Sequence, residues 1–244
     1  MTPRLPGIVE VCPDPTALAE RGAAWVAEQE VAALRERGAF AIALAGGSTP
    51  KALYRLLAQP PHREERDWSR WSVYFGDERA APVDDPERND RMARESLLDH
   101  VPIPPDRVYP MHAERPDLDA AAAEYAALLE TTLPAGPDGP RLDCILLGLG
   151  TDGHTASLFP GTPALEVTDT WVTRGYATYP PYERITVTFP LIRAAASVGF
   201  LVAGASKRAA LAGVAAGTVP AARARPAHGE LRWLLDRAAA GDEG

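Results

Sequence analysis

The sequence predicts an α/β fold, in which a mainly parallel, Rossmann-like sheet is the middle of three layers and helices cover both of its faces. Short apolar runs typical of buried strands alternate with segments of helical periodicity along the 244 residues. Apolar residues make up 46% of the chain, which is enough for one large core at this length. No internal repeat or long linker is visible, so we expect a single domain over residues 1–244.

Each element has its own signal in the sequence. Apolar runs predict strands at residues 8–11, 40–44, 72–75, 142–147, 185–189 and 198–202. Asp14 and Pro15 predict the start of the first helix, and Gly38 predicts its end. A second helix is expected to begin at a cap supplied by Ser48 or Thr49. The spacing of the apolar residues 118, 122, 125 and 129 predicts a further helix, and another helix is predicted to begin at residue 206.

Composition and charge argue against several classes of protein. Asp and Glu number 33 against 25 Lys and Arg, a formal net charge of −8, and no basic stripe is present, so we expect no nucleic-acid partner. No signal peptide and no bilayer-spanning segment are visible, which predicts a cytoplasmic protein without a membrane partner. Cys12 and Cys144 cannot form a four-cysteine zinc site, and no other ligand cluster appears, so we expect no metal and no cofactor. We expect a monomer or a weak homodimer.

Parallel sheets of this class bind ligands beyond the carboxyl ends of their strands, and two polar segments stand at such ends. The strand at residues 40–44 leads into a loop of two glycines and two hydroxyl residues, Gly46, Gly47, Ser48 and Thr49. Its glycines and the following helix N-terminus suit a phosphate, although an ordinary turn with a cap would have the same sequence. After residues 72–75, Arg79 suits a phosphate and Asp77 suits sugar hydroxyls, with a solvated loop as the alternative.

The glycine-rich loop after residues 142–147 holds the candidate base. Gly148 to Gly153 match G-x-G-x-x-G, but Phe159-Pro160-Gly161 interrupts the helix that a dinucleotide fingerprint must open, so we reject that function. The loop instead exposes His154, with Asp152 placed to orient it. The alternative is a structural histidine, and Lys207, at the start of a later helix, is either an anion ligand or a surface lysine.

Three segments together resemble the 6-phosphogluconolactonases of the glucosamine-6-phosphate isomerase/6-phosphogluconolactonase family. They are Ala-Gly-Gly-Ser-Thr-Pro at 45–50, Phe-Gly-Asp-Glu-Arg at 75–79 and Asp-Gly-His-Thr-Ala-Ser-Leu-Phe-Pro at 152–160. Arg184-Ile-Thr, the segment 204–207 and the tail 220–236 extend the likeness over nearly the whole chain. Glucosamine-6-phosphate deaminases share the first loop and Asp-Gly-His, but continue with Asn-Glu-Pro, which is absent here.

The resemblance implies hydrolysis of 6-phospho-D-glucono-1,5-lactone in the oxidative pentose phosphate pathway, without a cofactor. His154 is then the general base, Asp152 orients it, and Arg184 joins the residues that bind the phosphorylated substrate. Two positions depart from the family pattern. Tyr179 stands where the family usually has a phosphate-binding lysine, and Arg88 stands where it usually has serine. We expect Arg88 to supply the missing charge, with a solvent-facing arginine as the alternative.

Two other functions stay open at this point. A deaminase or isomerase acting on a sugar phosphate would use Asp77 as a base on substrate carbon, and it would release ammonia from glucosamine 6-phosphate. A non-catalytic sugar-phosphate sensor would bind 6-phosphogluconate without turnover, and His154 would then be dispensable.

Overall fold

In the computed structural model, which describes residues 4–241, strands and helices alternate through most of the chain. The strands are β1 (Ile8–Cys12), β2 (Phe40–Leu44), β3 (Trp71–Phe75), β4 (Asp77–Arg79), β5 (Ala135–Gly136), β6 (Gly139–Pro140), β7 (Cys144–Leu147), β8 (Val172–Tyr176), β9 (Glu183–Val187), β10 (Ser197–Val202) and β11 (Glu230–Asp236). The helices are α1 (Pro15–Arg37), α2 (Ser48–Leu57), α3 (His62–Glu65), α4 (Asn89–Ser96), α5 (Leu118–Thr132), α6 (Phe189–Ala194), α7 (Arg208–Ala216) and α8 (Arg237–Ala240).

The central sheet has six strands in the order β1-β11-β10-β7-β2-β3, and every neighbouring pair in it is parallel. Helices flank it, which confirms the predicted fold class. After β2 the chain continues to β3 on one side, and after β7 it continues to β10 on the other. The carboxyl ends of β2 and β7 therefore form the switch point of the sheet, where open α/β folds bind their ligands.

A second sheet, of three antiparallel strands in the order β4-β9-β8, extends from this end of the molecule. Only Gly76 separates β3 from β4, and its N–H donates to the carbonyl of Leu44 on β2 at 2.9 Å. The small sheet is thereby fixed beside the switch point. Within it Arg79 lies directly opposite Arg184.

The core is made of apolar strands and three fully buried tryptophans, Trp25, Trp71 and Trp233. A buried indole N–H needs an acceptor. Trp25 donates to Glu230 at 2.7 Å, Trp71 to Glu30 at 2.8 Å and Trp233 to the carbonyl of Pro6 at 2.9 Å. Each bond joins segments far apart in sequence. Those of Trp25 and Trp71 fix α1 to strands of the central sheet, and that of Trp233 fixes β11 to the segment before β1.

The ends of α1 were predicted correctly, because Asp14 accepts from the N–H groups of Thr16 and Ala17 and Gly38 adopts φ 72°. Two predictions were wrong. Ser48 and Thr49 lie inside α2, whose N-cap is Gly47, and no side chain caps this helix. Phe189 begins α6 rather than ending a strand, because Pro190 suits the first turn of a helix and cannot donate to a strand ladder.

No helix within residues 4–241 is long and apolar enough to cross a membrane. Cys12 and Cys144 are both buried and free.

Candidate active site

A cavity of about 270 Å³ opens at the switch point of the central sheet. Its walls come from the loops after β2, β7 and β10, from β4 and β9, and from the connection between β8 and β9. Of the predicted site residues, only Asp152 and Arg88 do not line this cavity. The residues that do line it are Gly46, Gly47, Ser48, Thr49, Asp77, Arg79, His154, Arg184 and Lys207. Asp152 reaches the cavity indirectly, through its contact with His154.

His154 and Asp152 form a closely bonded pair at the cavity wall. Nδ1 of His154 lies 2.5 Å from Oδ1 of Asp152, which also accepts the His154 backbone N–H at 3.1 Å. Burial raises the pKa of Asp152, but the hydrogen bonds and charge of His154 outweigh it and hold this pKa below its usual value. An ionised carboxylate only accepts, so Nδ1 carries a proton, and Nε2 is the nitrogen that presents a lone pair in the neutral ring. The pair therefore has the arrangement of an oriented general base.

The loop backbone and an aromatic neighbour hold this imidazole in place. The His154 ring stacks on Phe159 with 4.0 Å between ring centroids. The Gly150 N–H donates to the His154 carbonyl at 2.8 Å, and a Cβ on Gly150 would lie 2.0 Å from Nδ1. Glycine is thus required at position 150 because the ring occupies the space of a side chain. The side chain of His154 is 18% exposed, enough for one nitrogen to meet a ligand.

Asp77 lies on another wall with both carboxylate oxygens engaged. Oδ2 accepts from the Ser157 hydroxyl at 2.6 Å, and Oδ1 accepts from the Asn89 side-chain amide at 3.0 Å. The Asn89 amide also fills the space beside Gly46, where a Cβ would lie 1.9 Å from its oxygen. These contacts fix the orientation of Asp77 as an acceptor at the cavity wall.

Arg79 and Arg184 give the cavity a concentrated positive charge. They are cross-strand partners on β4 and β9, where two like charges repel each other. Arg184 is 2% exposed, and its guanidinium is bonded to the Glu183 carbonyl, 3.4 Å from Nη1, and to the Tyr179 side chain. Burial, followed by the charge of Arg79, lowers the pKa of Arg184. The Nε of Arg79 is buried with no hydrogen-bond partner in the part of the chain that the structure describes.

Lys207 and the N-terminus of α2 add further donors to the cavity wall. Burial lowers the pKa of Lys207, and the charge of Asp152 partly offsets this effect. The backbone N–H groups at the start of α2 have no capping side chain, and the helix dipole places partial positive charge there. Together with the two arginines, these groups form a site suited to an anion that carries more than one negative charge.

The prediction that Arg88 binds the substrate phosphate is wrong. Arg88 does not line the cavity and is only 1% exposed. Its guanidinium donates to both carboxylate oxygens of Asp90 at 2.8 and 2.9 Å, to Glu114 at 3.0 Å and to the Ala81 carbonyl at 3.0 Å. It is therefore neither a phosphate ligand nor a solvent-facing residue, because two carboxylates neutralise it inside the fold.

Sequence reasoning missed four residues that shape the site: Phe159, Ser157, Asn89 and Tyr179 as a wall residue. Ser157 and Phe159 stand in the same segment as His154, and Asn89 stands next to Arg88. A signal was present in each case, since a polar or aromatic residue within a few positions of a candidate ligand is placed to support it.

In the sequence comparisons, residues 13–233 match the family described as glucosamine-6-phosphate isomerases/6-phosphogluconolactonase. The chain is 44% identical over 237 residues to a 6-phosphogluconolactonase of Nostoc sp., covering 95% of this chain and 96% of that protein. It is 45% identical over 238 residues to a 6-phosphogluconolactonase of Synechocystis sp., with the same coverage of 95% and 96%.

Solved structures show the same likeness. The 6-phosphogluconolactonase of Trypanosoma brucei superposes with a TM-score of 0.87 and 31% identity, covering 99% of this chain and all of that one. A monomeric glucosamine-6-phosphate deaminase superposes with a TM-score of 0.77, covering 96% of this chain and 99% of that one. At 23% identity the deaminase shares the fold, and the comparison carries no more than that.

Proposed function

Because the chain belongs to the glucosamine-6-phosphate isomerase/6-phosphogluconolactonase family, we propose that it hydrolyses 6-phospho-D-glucono-1,5-lactone to 6-phospho-D-gluconate in the oxidative pentose phosphate pathway. One observation of the site carries this proposal. An imidazole oriented by a carboxylate at 2.5 Å opens onto the same cavity as Arg79 and Arg184. Arg79 has only a 4.0 Å ion pair to the exposed Glu87, and Arg184 forms no ion pair within residues 4–241.

The base acts at one end of the substrate. Nε2 of His154 removes a proton from a water molecule as the water oxygen attacks the lactone carbonyl carbon, and the carbonyl oxygen takes the negative charge of a tetrahedral intermediate. Asp152 stabilises the resulting imidazolium. Backbone N–H groups of the loops at the cavity wall stabilise the oxyanion. The intermediate then collapses, the bond from carbon to ring oxygen breaks, and the imidazolium returns the proton to that oxygen.

The phosphate binds at the other end. Arg79, Arg184 and Lys207, with the loop of Gly46, Gly47, Ser48 and Thr49, hold its oxygens, and Asp77 accepts from sugar hydroxyls. The burial of Arg184 and its position opposite Arg79 support this assignment, because a bound dianion relieves the repulsion between two guanidinium groups. A lactone carbonyl is electrophilic enough for a positioned base and water to suffice, so the mechanism needs no covalent enzyme intermediate.

The test is an assay on freshly generated phosphogluconolactone, corrected for its spontaneous hydrolysis. We expect wild-type turnover and a fall in kcat by a factor on the order of 10²–10⁴ in His154→Ala, as is typical when a positioned base is lost. Circular dichroism would show that the variant still folds. Near wild-type kcat in this variant would refute the assignment of His154, and ammonia released from glucosamine 6-phosphate instead would identify a deaminase.

Location, assembly and metal independence are also proposals. We propose a cytoplasmic location, which the two free buried cysteines support because a reducing compartment keeps thiols unpaired. We also propose that the protein is a monomer or a weak homodimer. Within residues 4–241 no three His, Cys, Asp or Glu side chains come together as a metal site. We expect a chelator to leave the lactonase activity intact, and activity that one divalent ion restores after chelation would contradict this expectation.

A further inference from the structure

The connection between β8 and β9 carries an aromatic residue that faces the cavity. Residues 177–182 form this connection, which the Ala177 N–H closes by donating to the Tyr182 carbonyl at 2.6 Å. Tyr179, near its tip, lines the cavity while 46% of its surface stays exposed. An aromatic ring that is exposed on the wall of a ligand cavity can contact a bound ligand, whereas a tyrosine exposed to bulk solvent cannot.

The Tyr179 ring neighbours both the candidate base and the buried cation. Its centroid lies 6.4 Å from that of His154 and 5.8 Å from the Arg184 guanidinium carbon. Phe159 meets it edge to face with 5.7 Å between centroids, which limits its rotation. In the phosphorylated lactone the six-membered ring likewise separates the reacting carbonyl from the phosphate. A substrate with its carbonyl at His154 and its phosphate at Arg184 therefore places its ring beside Tyr179.

We propose that Tyr179 is a specificity-determining residue, which recognises the sugar ring of the lactone by packing an aromatic face against its C–H groups. The inference rests on the proposed lactonase function. It assigns recognition of the sugar ring, which no charged residue is proposed to contact, to the side chain of Tyr179. A ring contact without charge contributes equally whether or not the lactone is phosphorylated. Arg79 and Arg184, in contrast, contribute only when a phosphate is present. Tyr179 thus sets the affinity for a δ-lactone ring, and the arginines set the preference for its phosphate.

Three variants separate these contributions in the full-length enzyme. Tyr179→Ala removes the ring, Tyr179→Phe keeps the ring and removes the hydroxyl, and Tyr182→Ala is the matched control. Tyr182 belongs to the same connection, is 57% exposed and does not line the cavity. For each variant, kcat and KM are measured on 6-phosphogluconolactone and on unphosphorylated glucono-1,5-lactone, with circular dichroism as the check on folding.

We expect Tyr179→Ala to raise KM roughly three- to tenfold on both lactones, the range for losing one aromatic contact, and to leave kcat nearly unchanged. Tyr179→Phe and Tyr182→Ala should retain wild-type KM. An unchanged KM in Tyr179→Ala, or a rise confined to the phosphorylated lactone, would overturn the proposal, as would a Phe variant as impaired as the Ala variant.

Failure of the proposed function has a different signature. If wild type turns over neither lactone, the lactonase assignment fails, and the role of Tyr179 is then measured by calorimetry with the open-chain products gluconate and 6-phosphogluconate. Weaker binding of both in Tyr179→Ala, with Tyr182→Ala unaffected, would support sugar recognition without catalysis. Equal binding of these products by wild type and Tyr179→Ala would overturn the proposed role of Tyr179 in sugar recognition.

Discussion

Arg88 and Arg184 are both almost completely buried, yet their surroundings differ in one decisive respect. Arg88 donates four hydrogen bonds to Asp90, Glu114 and a backbone carbonyl, whereas Arg184 has a 3.4 Å bond to a carbonyl and lies opposite another arginine. Burial alone lowers the pKa of both. For Arg88, the hydrogen bonds and charges of Asp90, Glu78 and Glu114 outweigh burial and raise it. For Arg184, the charge of Arg79 lowers the pKa further, and together with burial it outweighs the opposing effects of Asp77 and Tyr179.

From this difference we infer that Arg88 stabilises the fold and that Arg184 binds a ligand. A buried charge is tolerated when its partners are present in the protein, and removing one partner is then strongly destabilising. A buried charge whose partner is missing keeps a desolvation cost that a bound anion can offset. Arg88 has its carboxylate partners within the protein, whereas for Arg184 we propose that a phosphate of the substrate serves as the anionic partner.

The largest effect is expected on the fold, from Arg88→Met. This substitution leaves Asp90 and Glu114 without their cation, so we expect the free energy of unfolding to fall by about 3–5 kcal/mol. Urea denaturation measures this loss. The control is Arg91→Met on the same helix, which breaks the exposed ion pair between Arg91 and Glu95 and should change stability far less. Equal losses of unfolding free energy in Arg88→Met and Arg91→Met would contradict the conclusion that the ion pairs of Arg88 stabilise the fold.

A smaller effect is expected on substrate binding, from Arg184→Met. Methionine fills a similar volume without charge, so the free energy of unfolding should be unchanged or slightly higher. Loss of a charge-assisted contact should weaken binding of the phosphorylated lactone by roughly 1.5–3 kcal/mol, a tenfold or greater rise in KM where KM tracks affinity. KM for unphosphorylated gluconolactone should hardly change. A variant that unfolds while its KM stays constant would place Arg184 with Arg88 as a structural residue.

The smallest effect is a thermal shift on adding 6-phosphogluconate. At about ten times its Kd, a ligand that binds only the folded state adds about 1.4 kcal/mol of stability. For a chain of this length that corresponds to a rise in Tm of about 3–6 °C. We expect this rise in wild type and in Arg91→Met, and the loss of most of it in Arg184→Met at the same concentration. An undiminished rise in Arg184→Met would show that the phosphate binds without this guanidinium.

Local patterns were sufficient for the parts of the site in which partners are near in sequence. Asp152 and His154 are two residues apart, and a glycine-rich loop after a buried strand brings their side chains together whatever surrounds them. The direction of the strands also predicted which loops meet, because parallel strands end at the same edge of a sheet. The family resemblance gave the activity from the same short segments.

By itself, the sequence determined the fold class, the edge of the sheet at which the candidate site lies and the oriented imidazole. The tertiary structure alone decided which arginine lines the cavity. The partner Glu114 lies 26 residues from Arg88, and Arg184 meets Arg79 only through the pairing of β9 with β4. In the same way, Ser157 reaches Asp77 across 80 positions. The physical reason is that the role of a buried arginine depends on whether a carboxylate of the protein lies beside it. Contacts between residues far apart in sequence decide whether such a carboxylate is there.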